Sequence, residues 1–130
     1  MAVQDYISIQ NITTIKGTTP DNPLITGVSL GWCLLNSVFV RIPPGHGGVT
    51  GWALELDGNR VIPWQQDGAW ITGDDEQFSE LLNLELDTGL TIVTYNQSNL
   101  FSHTHYARLH YTPIANVGAA VAPITLISMD

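Results

Sequence analysis

The chain has 130 residues, enough for one domain with a core of its own and too few for two of ordinary size. Apolar residues make up 44% of it and charged ones only 12%, about half the usual share of roughly 25%, so much of the surface is uncharged and suits burial against protein neighbours. Four Lys and Arg stand against twelve Asp and Glu, a formal charge of −8 with no basic cluster, which speaks against nucleic acid or an anionic membrane surface as partner and reads as solubility and mutual repulsion before assembly.

In chain order, alternation of apolar and polar residues with frequent turn residues predicts an all-β chain, since no segment keeps apolar residues at i, i+3, i+4 and i+7 for long. The first strand is expected over residues 3–10; no basic residues precede an apolar run there, so no secretory signal is expected. Strands at 28–35 and 38–42 follow. Cys33, the sole cysteine, lies in an apolar stretch that predicts a buried, inert thiol and suits synthesis in a cytosol. The run Pro43-Pro44-Gly45-His46-Gly47-Gly48 cannot continue a central strand and reads as a corner between sheets or a rim loop. Strands at 50–56 and 60–64 flank Asp57-Gly58-Asn59, a hairpin signal because the tight turn needs positive φ. Further strands are expected at 69–72, 77–86, 90–95 and 102–111, punctuated by Asp67-Gly68, Gly73-Asp74-Asp75 and Asp87-Thr88-Gly89 at the spacing of a sandwich or jelly roll. Residues 76–86 also fit a short helix, but the alternation of Leu82, Leu84 and Leu86 favours a strand.

Residues 113–129 carry no charge and are small and apolar, too slight for a core and too apolar for a solvated tail. The reading is a β-sandwich over residues 1–112, of antiparallel jelly-roll type, followed at 113–130 by an extended arm or by a terminal strand of the same sheet. If it is an arm, Pro113, Ile114, Val117, Val121, Pro123, Ile124 and Leu126 are its assembly contacts.

Candidate chemistry is sparse. His103 and His105 share one face of a strand, within reach of a common metal, with His110 on the other face and His46 in the Pro-Gly corner. The pair resembles the His-x-His of metal-binding cupins, but Tyr106-Ala107-Arg108-Leu109 supplies no carboxylate ligand after it. The alternative is a polar cross-strand ladder, and no metal or other cofactor is expected. Asp74, Asp75 and Glu76 lack the alternating oxygen ligands of a calcium loop and suit backbone capping instead. No nucleophile-base set or phosphate loop stands out, so no catalytic residue is assigned and no enzyme is expected. Trp32, Trp52, Trp64 and Trp70, with Tyr95 and Tyr106, form a candidate sugar platform or, alternatively, fill a core or an interface.

The series Arg41-Ile42-Pro43-Pro44-Gly45-His46-Gly47-Gly48-Val49-Thr50-Gly51-Trp52, Val61-Ile62-Pro63-Trp64, Trp70-Ile71-Thr72-Gly73-Asp74-Asp75-Glu76, Thr94-Tyr95-Asn96 and His103-Thr104-His105 resembles small structural proteins of tailed bacteriophages, particularly those of actinobacteria. The similarity covers roughly residues 38–111. It implies a virion component without catalytic residues, either a minor capsid or decoration protein or a tail-baseplate accessory. Its partners would be other virion proteins and further copies of itself, as a homo-oligomer. The alternative function is a carbohydrate-binding module that recognises a host cell-surface glycan.

Overall fold

The computed structural model describes residues 5–63 and 69–114. Eight strands follow one another: β1 (Tyr6–Thr14), β2 (Leu24–Gly27), β3 (Cys33–Ile42), β4 (Thr50–Leu56), β5 (Asn59–Ile62), β6 (Glu76–Leu86), β7 (Leu90–Asn96) and β8 (His103–Pro113). Sheet I has the order β1-β8-β3-β6 and sheet II the order β2-β7-β4-β5, with every pairing antiparallel. Their inner faces form a β-sandwich. Leu35, Val38, Val40, Ile42 and Leu109 from sheet I meet Trp52, Leu54, Ile62, Leu90 and Ile92 from sheet II, all of them at most 2% exposed. At about 1.5–3 kcal/mol for each large side chain removed from water, this layer is the main reason the chain folds. Among the described residues no helix is long and apolar enough to cross a membrane.

The strand expected at 28–35 is not formed as such. Gly27 ends β2, Gly31 takes a φ of 76°, and the chain crosses from sheet II to sheet I before β3 begins at Cys33. Conversely, β3 runs unbroken through the expected gap at Asn36-Ser37. A bulge between Leu35 and Ser37 absorbs the extra residue, and the Asn36 amide donates to Thr112 Oγ1 at 2.9 Å. Residues 69–72 make no strand either. Ile71 exchanges two backbone hydrogen bonds with Trp52, 2.9 and 3.0 Å, as an isolated bridge to β4. The β4–β5 hairpin turns through Asp57 and Gly58 at φ of 53° and 81°, the two positive values of a tight primed turn. Glu76–Leu86 is a strand, and β1 extends to Thr14 rather than ending at Gln10. Pro43–Gly48 is a corner between sheets, carrying the chain from β3 to β4.

Candidate functional site

The Pro-Gly corner and the Gly-Asp-Asp turn, far apart in sequence, lock together at one end of the sandwich. Asp74 Oδ1 accepts the backbone N–H of Gly45 at 2.8 Å and of Gly47 at 2.9 Å. The Gly47 bond is the foremost cause of a carboxyl pKa held below the ordinary range, since hydrogen bonds to the charged form favour it. Gly48 N–H donates to Gly73 O at 3.1 Å, and Arg41 pairs with Asp75 at 2.5 Å. The acidic turn is thus a backbone cap.

Behind the corner lies a directed chain of hydrogen bonds. His46 Nε2 is 3.1 Å from the Thr104 carbonyl, which can only accept, so this nitrogen carries the proton and Nδ1 is the acceptor. Thr50 Oγ1, 2.7 Å from His46 Nδ1, therefore donates to it and in turn accepts from His105 Nε2 at 3.3 Å. The rings of His103 and His105 lie 4.6 and 4.8 Å from that of His46. Burial first, then the neighbouring imidazoles, pushes the His105 pKa down to about 3; burial, then His103, lowers that of His46. Both rings are neutral at pH 7. Beside them Thr13 and Thr104 bond across the strands at 2.7 Å, and Thr14 and Thr94 bond across the sheets at 2.7 Å. The polar cross-strand ladder expected of this strand is therefore present.

This cluster fastens the fold rather than presenting reactive atoms. His46 is 2% exposed and Thr50 and His105 are fully buried, so their nitrogens and hydroxyl are closed to a substrate. Among the described residues no group of three His, Cys, Asp or Glu side chains is placed to hold a metal. Cys33 is buried, and burial raises its thiol pKa, which leaves it inert.

The tryptophans do not form one platform. Trp52 is fully buried in the core. Trp70 meets the Tyr95 ring edge-on at 4.8 Å, and the Arg60 guanidinium lies 4.4 Å over Trp70 while pairing with Glu55 at 2.5 Å. Tyr95 in turn covers Gly51, where a Cβ would come within 2.1 Å of the ring. The stack covers the outer face of sheet II over β7, β4 and β5. Trp32 is exposed at the far end of the sandwich, its indole N–H on Glu85 at 2.9 Å, and Trp64 lies outside the described residues. Of the residues assigned to assembly, Pro113 closes β8 opposite Cys33 and the Ile114 N–H donates to the Trp32 carbonyl at 3.0 Å. Val117, Val121, Pro123, Ile124 and Leu126 lie outside the described residues.

Sequence reasoning missed the outer face of sheet I. On β1, Ile7 and Ile9 point outward and are 55% and 65% exposed, while Ile12 points into the core. In register beside them, β8 turns Tyr106 and Arg108 outward, and β3 adds Phe39 and Arg41. A groove of about 330 Å³ crosses these strands, bounded by Asn11 on β1 and Gln77 on β6. The available signal was alternation: His105 inward obliges Tyr106 and Arg108 outward.

No protein-family model matches the chain, and no curated protein matches it.

Proposed function

We propose that the chain is a non-catalytic structural component of a bacteriophage virion, a capsid decoration or minor capsid protein or a tail-baseplate accessory, that joins other virion proteins in a symmetric homo-oligomeric assembly. A jelly roll is the architecture proposed for it. In support, β1 pairs with β8, β2 with β7, β3 with β6 and β4 with β5, the pattern of one long hairpin wrapped into two sheets. Every connection except the β4–β5 hairpin passes between sheets. Jelly rolls are frequent in viral capsids.

The observation that carries the assembly reading is a rim of large apolar side chains held out on hydrogen-bonded loops. Ile15, Leu100 and Phe101 are 73%, 72% and 65% exposed, with Leu24 beside them at 39%. Asn96, fully buried, ties this rim down by donating to Thr14 O at 3.0 Å and Phe101 O at 2.9 Å and accepting from Ser98 N–H at 3.0 Å. A surface ordered in advance loses little entropy on contact, and its apolar attraction is not screened by salt.

Light scattering on size-exclusion fractions tests this at salt concentrations of about 0.1 and 1 M, where the Debye length falls from roughly 10 to 3 Å. An oligomer that persists at both, and that Phe101→Asp with Leu100→Asp disperses without lowering the melting temperature, is the expected result. A chain monomeric at both concentrations, or an oligomer that falls apart as salt rises, overturns the reading.

A further inference from the structure

We propose that the groove on the outer face of sheet I binds an acidic saccharide, a run of pyranose units bearing carboxylate, sulfate or phosphodiester groups. The inference stands on charge placement and lining chemistry, independently of the rim that carries the assembly reading.

The chain has twelve carboxylate side chains and four Lys and Arg. Yet the outward positions of β1, β8 and β3 hold no carboxylate, and two of the four cations, Arg41 and Arg108, line this one groove. The groove itself is therefore lined by cations although the chain as a whole is acidic, and an oxyanion entering it meets guanidinium groups. Asp75, at the edge, is already taken up by Arg41. Arg108 is the freer cation. Its guanidinium lies 4.6 Å over the Phe39 ring, and among the described residues it has no ion-pair partner. A guanidinium seated over an aromatic ring, which accepts no hydrogen bond in its plane, keeps its fork of N–H donors for an oxyanion, the pairing that suits carboxylate, sulfate and phosphate.

The remaining lining selects a sugar over other anions. Tyr106, 44% exposed, stands opposite Asn11 on one side and Arg41 on the other. Its ring offers an apolar face to the C–H side of a pyranose, and the exposed amides of Asn11 and Gln77 at the two margins offer both donors and acceptors to hydroxyls. Nucleic acid would need a basic stripe following many phosphates, which two arginines do not make. At about 330 Å³ the groove lies at the lower end of small-ligand clefts, which run from about 300 to 1,000 Å³.

The test is an NMR titration of the isotope-labelled full chain with three acidic probes: tetragalacturonate, a heparin-derived tetrasaccharide and a short phosphodiester-linked glucopyranose oligomer. Maltotetraose serves as the neutral control and hexaglutamate as the acidic peptide control. The expected result is saturable shifts at Asn11, Phe39, Tyr106 and Arg108 with at least one acidic saccharide, and binding about tenfold weaker for both controls. Arg108→Gln should weaken the same probe by about tenfold, the scale of one charge-assisted contact, and Tyr106→Ala should weaken it comparably, with melting unchanged in both variants. No saturable shift with any of the three up to about 5 mM, the range of single weak contacts, overturns the proposal. So does equal binding of hexaglutamate, which would mark the face as a seat for an acidic protein, or shifts confined to other surfaces.

Discussion

The two sheets treat their outer faces differently. Sheet II covers the part of its own over β7 and β4: Ala53 and Val93, which point away from the core, are fully buried and 3% exposed, and Tyr95, Trp70 and Arg60 stack above the same strands, while Ile25 on the edge strand β2 stays 64% exposed. Sheet I leaves Ile7, Ile9, Tyr106 and Leu81 in water and sets Arg41 and Arg108 outward on β3 and β8. A face covered by the chain's own side chains contributes to stability; one left open contributes little to it and is available for contact. The difference predicts that substitutions of similar size will be costly on one face and nearly free on the other.

Acid provides the largest expected effect, and it acts on the interior between the faces. His105 has a folded-state pKa of about 3 against an ordinary 6.5, and that of His46 is also lowered, so the unfolded chain binds protons that the folded chain refuses. Stability from this source is therefore complete above pH about 6.5 and is lost as pH falls from there towards 3, by on the order of 3–5 kcal/mol at the acid end. Urea unfolding at a series of pH values checks it, with His105→Gln as the control. The variant should lose less stability over that window than the parent; parallel curves would show that these imidazoles do not govern the acid response.

Removing the cover of sheet II comes next. Trp70→Ala deletes the ring that rests on Tyr95 and the seat of the Arg60 guanidinium, at a cost of about 2–4 kcal/mol in chemical denaturation. A loss below about 0.5 kcal/mol, the scale of an ordinary surface change, would mean that the covering does not stabilise the sheet.

The smallest effect belongs to sheet I. Leu81 is 86% exposed on the outward side of β6, so Leu81→Lys should change stability by less than about 0.5 kcal/mol. A destabilisation of the size expected for Trp70→Ala would erase the contrast between the faces.

Much of the scaffold was legible in the residues. Alternation in Thr50–Leu56 and Leu90–Asn96, the Asp57-Gly58 turn and the Pro-Gly corner are local features, and local sterics enforce them wherever the segment lies. Segments that depend on distant partners were not legible. Asn36 sits inside β3 because a bulge and Thr112 accommodate it, and Ile71 makes an isolated bridge with distant Trp52 in place of a strand. In β1, alternation sets Ile7 and Ile9 on one side and Ile12 on the other, and a two-residue period cannot say which side faces the core; pairing with β8 decides it.

The candidate sites follow the same division. His103 and His105 on one face and a backbone-capping role for Asp74 follow from spacing and residue type, while the partners of that cap, Gly45 and Gly47, lie 29 and 27 positions back and are supplied by the fold. That His46 closes a proton-ordered chain with Thr50 and His105 and that Arg41 and Arg108 share a groove depend on residues 55 to 67 positions apart meeting in space, and the scatter of the tryptophans is likewise set by the tertiary fold. By itself the sequence determined an all-β chain, its turns and a surface poor in charge and acidic in balance, because these rest on short-range sterics and on composition. Only the tertiary structure decided which face of each sheet is covered, because that depends on register and on which distant side chains come to lie above it.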